Sequence, residues 1–269
     1  MKPLEVPSLS KAKLKQFIKL HQKKVRDSEG LFLAEGLRTV RELALNLPDE
    51  GMLVALMFRE GDAESDCFLL QHKEKLFSIS DRDCSQLSGK STPQGIFGVF
   101  RQQKLIEQNA EPYIETLGKS FIVALDDVQD PGNVGTILRT AVWFGADALI
   151  CSSATADRYN AKAVRSCAGS IYGIRHYSVE HLADELRRLQ KIGYSVISAS
   201  LDGQDFRDIS IWPKKQILVI GNEANGVHET VKGLSDLLVR IPHQGQKVRV
   251  ESLNASVSAA ILIERMTLS

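Results

Sequence analysis

Long apolar runs are missing from this chain of 269 residues: nothing approaches the roughly 20 consecutive apolar residues of a membrane-spanning helix. The opening MKPLEVPSLSKAKLK also lacks the apolar core of a signal peptide, so a cytoplasmic protein with no membrane partner is expected. Cysteine is scarce. Cys67, Cys84, Cys151 and Cys167 show no CxxC spacing, which removes zinc and redox motifs, leaves all four as structural residues and fits a reducing compartment. His21, His72, His176, His181, His228 and His243 have no ligand spacing such as HExxH, and no metal is expected. The GxGxxG of dinucleotide sites and the GxxxxGK[ST] of phosphate loops are absent too, which weakens a nucleotide-dependent enzyme of the open doubly wound type. Charge nearly cancels, with 34 Lys and Arg against 33 Asp and Glu.

What is present is unevenly spread. Between Lys11 and Arg26 stand Lys11, Lys13, Lys15, Lys19, Lys23, Lys24 and Arg26 without one acidic residue. Such a stripe can neutralise phosphates and release their counterions, or it can be a solvated helix face. Leu14, Phe17, Ile18 and Leu20 recur there at near-helical spacing behind Ser10, an N-cap residue, so the segment reads as a basic amphipathic helix. LFLAEG, MLVALMF, KLFSIS and GIFGVFR read as strands, with helices over LRTVRELAL and from Asp81. The polar, acidic stretch from Gln102 to Gly118 reads as a linker. The expected division is an N-terminal α/β domain over residues 1–104, a linker over 105–118 and a second domain over 119–269.

The second half opens with FIVALDD, the near-continuous apolar run of a strand buried on both faces of a parallel sheet. ALIC, YSVISAS, QILVIG and LLVRIP follow as strands, with helices at Ala161–Cys167, Ala183–Lys191 and Leu253–Met266. Alternation of this kind implies an α/β domain with a mainly parallel sheet, where ligands gather at the carboxyl ends of strands.

Three stretches follow such strands. In LDDVQDPGNVGTILRTAVWFGA, Asp130-Pro131-Gly132-Asn133 is a β-turn leading into a helix with Asn133 as a natural N-cap. Arg139 sits in that helix among apolar Ile137, Leu138, Ala141 and Val142, suited to holding a phosphate. In ILVIGNEANGV a buried strand runs into Gly221, Asn222, Glu223 and Gly226, where Gly221 permits either close approach of a ligand or a tight turn. In VRIPHQGQKVRVESLNASVSAAILIER a strand ends at Ile241-Pro242, and Ser252, Leu253 and Asn254 open the last helix, with Ser252 as a possible N-cap.

Together and in this order the three stretches resemble the signature motifs of the SpoU (TrmH-like) family of RNA 2′-O-ribose methyltransferases, of the SPOUT superfamily. DRYNAKAVRSCAGSIYGI, Asp157 to Ile174, resembles the family as well. The first half resembles, more loosely, the small α/β RNA substrate-binding domain of many members. The resemblance implies a deep trefoil knot in the C-terminal domain, S-adenosylmethionine as cofactor, a homodimer and structured RNA as partner. It nominates Asn133, Arg139, Glu223, Ser252 and Asn254 as catalytic residues, with Glu223 orienting Arg139 or Asn133. Gly221, Asn222, Gly226, Ile241, Pro242 and Leu253 would hold the cofactor, and Lys11, Lys13, Lys15, Lys23, Lys24 and Arg26 the RNA. Three features depart from the family pattern: a longer loop between Pro242 and Ser252, His243 in place of an apolar residue, and Ala255 in place of Val. The extra N-terminal domain favours ribosomal over transfer RNA. The other readings are transfer RNA as substrate and a catalytically silent RNA-binding or ribosome-assembly factor.

Overall fold

A computed structural model of the chain describes residues 6–61, 67–90, 92–103, 118–244 and 250–268. The expected linker lies outside the described residues except for Gly118, as do residues 245–249 of the loop between Pro242 and Ser252. The chain forms two compact units, Met1–Lys104 with Asp157–Tyr172, and Leu105–Ala156 with Gly173–Ser269.

In the first unit α1 (Lys11–Ile18), α2 (Lys23–Glu29), α3 (Leu37–Leu45), α4 (Cys67–Gln71) and α5 (Asp81–Ser88) accompany β1 (Leu31–Glu35), β2 (Leu53–Arg59), β3 (Leu76–Ile79) and β4 (Ile96–Arg101). The sheet order is β1-β4-β2-β3. β4 pairs antiparallel with both neighbours and β2 pairs parallel with β3, so the sheet is mixed. Ser10 caps α1 as expected by accepting from Lys13 N. Leu14 and Phe17 of α1 then join Leu20, Leu33, Met57, Leu87 and Phe97 in one buried cluster. Each such side chain contributes about 1.5–3 kcal/mol on burial, so the apolar side of the basic helix is what fixes it to the sheet.

The later segment Asp157–Tyr172 completes this unit. Asp157 meets Arg26, the Tyr159 ring lies 4.8 Å from that of Phe32, and the Tyr172 hydroxyl donates to the Arg101 carbonyl at 2.7 Å. Gly169 takes φ +83° against the backbone of Glu42, where an added Cβ would stand 2.7 Å from the Glu42 carbonyl carbon. The helix Ala161–Cys167 falls where the sequence predicts.

The second unit carries a six-stranded, all-parallel sheet in the order β10-β8-β9-β5-β6-β7. Its strands are β5 (Ser120–Asp126), β6 (Ala148–Ser152), β7 (Arg175–Val179), β8 (Ser195–Asp205), β9 (Lys215–Gly221) and β10 (Leu237–Arg240). All seven residues of the central β5 are buried, as its unbroken apolar run requires. The sequence reading did not single out β7, whose polar RHYSV pattern befits an edge strand. Continuing the helix count, α6 is Pro131–Trp143, α7 the helix Ala161–Cys167 already described, α8 Leu182–Lys191, α9 Glu229–Lys232 and α10 Ala255–Thr267. α10 packs against α6 and β9.

Candidate active site

The middle of β8, the carboxyl ends of β9 and β10 and the start of α10 surround a cleft of about 700 Å³. That is where a parallel sheet is expected to take a ligand. Gly221, Asn222, Gly226, Ile241 and Leu253 line it, and so do Glu223, Ser252 and Asn254; Pro242 does not. The sequence reading missed Ala199, Ser200, Leu201 and Asp202 from the middle of β8, and Val239, Arg240 and Glu251. Their signal was available, since YSVISAS reads as a strand of the same parallel sheet.

Gly221 is a glycine for a local reason. A Cβ there would stand 2.2 Å from the Gly226 carbonyl carbon and the Val227 nitrogen, because the chain closes on itself. Asn222 N donates to Gly226 O and Gly226 N to Asn222 O, both at 2.9 Å, and Asn222 Oδ1 accepts from Ala224 N and Asn225 N. The close approach is thus to the loop's own returning backbone. Glu223 is carried on this closed loop.

From there Glu223 reaches the beginning of α6. Its carboxylate accepts from Asn133 Nδ2 at 2.8 Å, Gln129 N at 3.1 Å and Asp130 N at 3.2 Å. Desolvation works to raise its pKa, but those donors outweigh it and hold the carboxyl below its usual range, so it is ionised at neutral pH. Asn133 Oδ1 in turn accepts from Asn254 Nδ2 at 3.0 Å, and Asn254 Oδ1 accepts from Ser256 N and Oγ at 2.9 and 2.7 Å. Three residues far apart in sequence form one directed chain, Glu223 to Asn133 to Asn254. Each amide uses one N–H within it, and a carboxamide has two.

Two cap expectations are corrected. Asp130, not Asn133, caps α6, accepting from Asn133 N at 3.0 Å with Pro131 in the first turn, which releases the Asn133 side chain for the site. Asn254, not Ser252, caps α10, and Ser252 stays exposed on the cleft.

Arg139 is placed differently. It lies six residues beyond Asn133, about 9 Å of helix rise, exposed and outside the cleft lining. No ion pair or hydrogen bond engages it among the described residues. Glu223 therefore orients Asn133 and not Arg139.

Arg26 is also corrected. The residue is 4% exposed, and its guanidinium, bonded to Asp157 at 2.5 Å and to the Leu20 and His21 carbonyls at 2.8 Å, is unavailable to a phosphate. Lys11 pairs with Asp83 and Lys23 with Asp27, both at 2.9 Å, while Lys13 lies 4.9 Å over the Phe77 ring. Lys15 and Lys24 are exposed and, among the described residues, in no ion pair.

The cleft suits S-adenosylmethionine. Leu201, Ile220, Ile241 and Leu253 offer apolar walls to a flat ring system and loop backbone offers its polar groups, while Asp202, Glu223 and Glu251 share the lining with Lys232 and Arg240.

Residues 120–264 match the model of the SpoU rRNA Methylase family, and residues 11–98 that of the MRM3-like substrate binding domain. The chain belongs to the SpoU family of S-adenosylmethionine-dependent RNA 2′-O-ribose methyltransferases. It is 33% identical over 263 residues to the 23S rRNA (guanosine(2553)-2′-O)-methyltransferase RlmP of Bacillus subtilis, covering 96% of this chain and 97% of that one. It is 30% identical over 186 residues to the 23S rRNA (guanosine-2′-O-)-methyltransferase RlmB of Nitrosomonas europaea, covering 68% and 69%. A solved AdoMet-bound rRNA methyltransferase from Sinorhizobium meliloti superposes with a TM-score of 0.76 at 28% identity over 97% of this chain and 96% of that one.

Proposed function

We propose that this enzyme methylates a ribose 2′-hydroxyl of ribosomal RNA. The observation that carries the reading is the hydrogen-bonded chain from Glu223 through Asn133 to Asn254, which borders the cleft with both outer members, while Arg139 on the helix of Asn133 is in no ion pair or hydrogen bond among the described residues. The relatives that span most of this chain act on 23S rRNA by name, which supports ribosomal over transfer RNA.

When bound, S-adenosylmethionine supplies a methyl group already made electrophilic by its sulfonium. The residues of the chain then have two tasks, alignment of the 2′-oxygen and disposal of its proton. Arg139 takes the phosphate beside the target ribose through paired N–H donors. A guanidinium stays protonated in proteins, so it orients and does not accept. The second N–H groups of Asn133 and Asn254 and the Ser252 hydroxyl position the sugar, and the phosphate oxygen held by Arg139 receives the proton as the 2′-oxygen gains the methyl. Gly221, Asn222, Gly226, Ile241 and Leu253, which line the cleft, would cradle the cofactor, whereas Pro242 stands outside that lining.

Residues 1–104 serve as the substrate-binding domain, with 119–269 as the methyltransferase domain. A homodimer is part of the reading, supported by the exposure of Trp143 (82%) on α6 and Val257 (47%) on the adjacent α10. So is the knotted threading of the family, supported by the packing of α10 on α6 and β9. A cytoplasmic location agrees with three free, buried cysteines and with no described helix long and apolar enough to cross a membrane.

The test is transfer of labelled methyl from S-adenosylmethionine to separate pools of unmodified ribosomal and transfer RNA, read as 2′-O-methyl nucleosides by mass spectrometry. Arg139→Ala is expected to cost on the order of 100- to 1000-fold in turnover with cofactor affinity unchanged. Equal loss of cofactor binding would overturn the assigned role, and cofactor binding without transfer to any RNA would favour a silent RNA-binding factor.

A further inference from the structure

Asp127 stands at the end of β5 in a conformation that side chains other than glycine rarely adopt, φ +59°. Three hydrogen bonds hold it there. Its N–H donates to Ser152 Oγ at 2.9 Å, its carboxylate accepts from the same hydroxyl at 2.5 Å, and its carbonyl accepts from Asn222 Nδ2 at 2.9 Å. Ser152 has one proton, spent on the carboxylate, so toward Thr155 Oγ1 at 3.0 Å it can only accept, and Thr155 has one proton to share between Ser152 and the Leu125 carbonyl.

The position of this residue gives the arrangement its consequence. Asn222 is the stem of the closed loop that carries Glu223, and the other stem is fixed by its neighbour Asp126, which accepts from His228 N at 2.7 Å. On the other side of Asp127 the chain turns directly into Gln129 and Asp130, whose amides face the Glu223 carboxylate. The left-handed turn at Asp127 therefore sets where those amides and Asn133 stand, while its carbonyl sets where Glu223 stands. Ser152, at the end of β6, locks the turn.

We propose that Asp127, clamped by Ser152 and tied to Asn222, is a positioning residue for methyl transfer that registers the Glu223 loop against the start of α6. The inference rests on the reading of the site as the methyltransferase centre. Misplacing a catalytic group by about 1 Å can cost 100-fold, so the clamp bears on turnover more than on stability. Glycine adopts the same φ without strain, and asparagine keeps an oxygen for Ser152 while tolerating the left-handed region.

The experiment compares Asp127→Gly, Asp127→Asn and Asn222→Ala with the unaltered chain, measuring turnover at saturating cofactor and RNA, KM for RNA, cofactor affinity by calorimetry, and melting temperature. Asp127→Gly is expected to melt no lower, to lose about tenfold or more in turnover with KM for RNA nearly unchanged, and to bind cofactor more weakly because the loop lines the cleft. Asp127→Asn should recover most of both. Asn222→Ala, which cuts the tie from the other side, should match Asp127→Gly and decides the matter if the glycine variant is unstable. Full turnover in Asp127→Gly or Asn222→Ala overturns the proposal, and so does failure of Asp127→Asn to recover it. If the unaltered enzyme transfers no methyl group, the reading of the site fails, and cofactor affinity alone then judges Asp127: unchanged affinity in Asp127→Gly overturns the inference.

Discussion

In the N-terminal unit the conspicuous charges are largely spent on one another. Arg26 is buried against Asp157, Lys11 meets Asp83, and Lys23 meets Asp27. In the C-terminal unit the accounting runs the other way: Glu223, Asn133 and Asn254 satisfy each other, and Arg139, farther along the helix that carries Asn133, is exposed and in no ion pair or hydrogen bond among the described residues. A row of basic residues in a sequence is therefore weaker evidence for a phosphate site than a single arginine whose neighbours have already found partners. Pairing lowers the free energy a cation gains from an incoming phosphate, because its own carboxylate must first be displaced.

The sharpest way to break this contrast is at Arg26. Removing one member of a buried, hydrogen-bonded pair leaves the other charge stranded, at a cost of about 3–5 kcal/mol. Arg26→Ala is therefore expected to lower stability by that amount in a denaturant titration, while RNA affinity, measured where the variant is still folded, changes little. A variant that stays stable but loses RNA binding would return Arg26 to the RNA-facing group and undo the comparison.

That case also marks what the sequence could and could not convey. The strand and helix order was legible because apolar periodicity is local: FIVALDD, QILVIG and LRTVRELAL all form the expected elements. Motif resemblance brought Asn133, Glu223 and Asn254 together before any geometry was known. Partnership across long separations was not legible. Nothing near Arg26 announces Asp157, 131 residues away, and nothing in DRYNAKAVRSCAGSIY announces that Tyr159 and Tyr172 complete the first unit. The caps failed for a related reason. Asp130 and Asn133, like Ser252 and Asn254, are both good N-cap residues by type; the long-range bond to Glu223 takes Asn133 for the site, while Asn254 caps α10 with its oxygen and reaches Asn133 with its Nδ2.

A smaller effect sharpens the other half of the contrast. Glu223→Ala takes the acceptor from Asn133 Nδ2 and from two backbone amides, which costs about 1–3 kcal/mol, and turnover should fall by a matching factor of about 5 to 150. The carboxyl of Glu223 is held below its ordinary value of 4.5 by those donors. Its contribution to stability is thus fully present above that pH and is lost as pH falls through the lower folded value. Acid titration of unfolding should show this loss in the unaltered protein, and Glu223→Gln should flatten it; an unchanged acid limb would mean the carboxylate is not held as the geometry indicates.

The smallest effects belong to the lysines, and they separate paired from unpaired cations within one helical stripe. Each phosphate contact made by a free lysine contributes about 0.7 to 0.9 to the slope of log affinity against log salt. Lys15→Ala and Lys24→Ala should each reduce the slope by that much, since both are exposed and in no ion pair among the described residues. Lys11→Ala and Lys23→Ala should reduce it less, because Asp83 and Asp27 already neutralise them at 2.9 Å. Filter binding of ribosomal RNA fragments over a salt series measures all four. Equal slopes for the four variants would mean that these surface pairs open at no cost when RNA arrives, and the stripe would then act as one uniform basic surface.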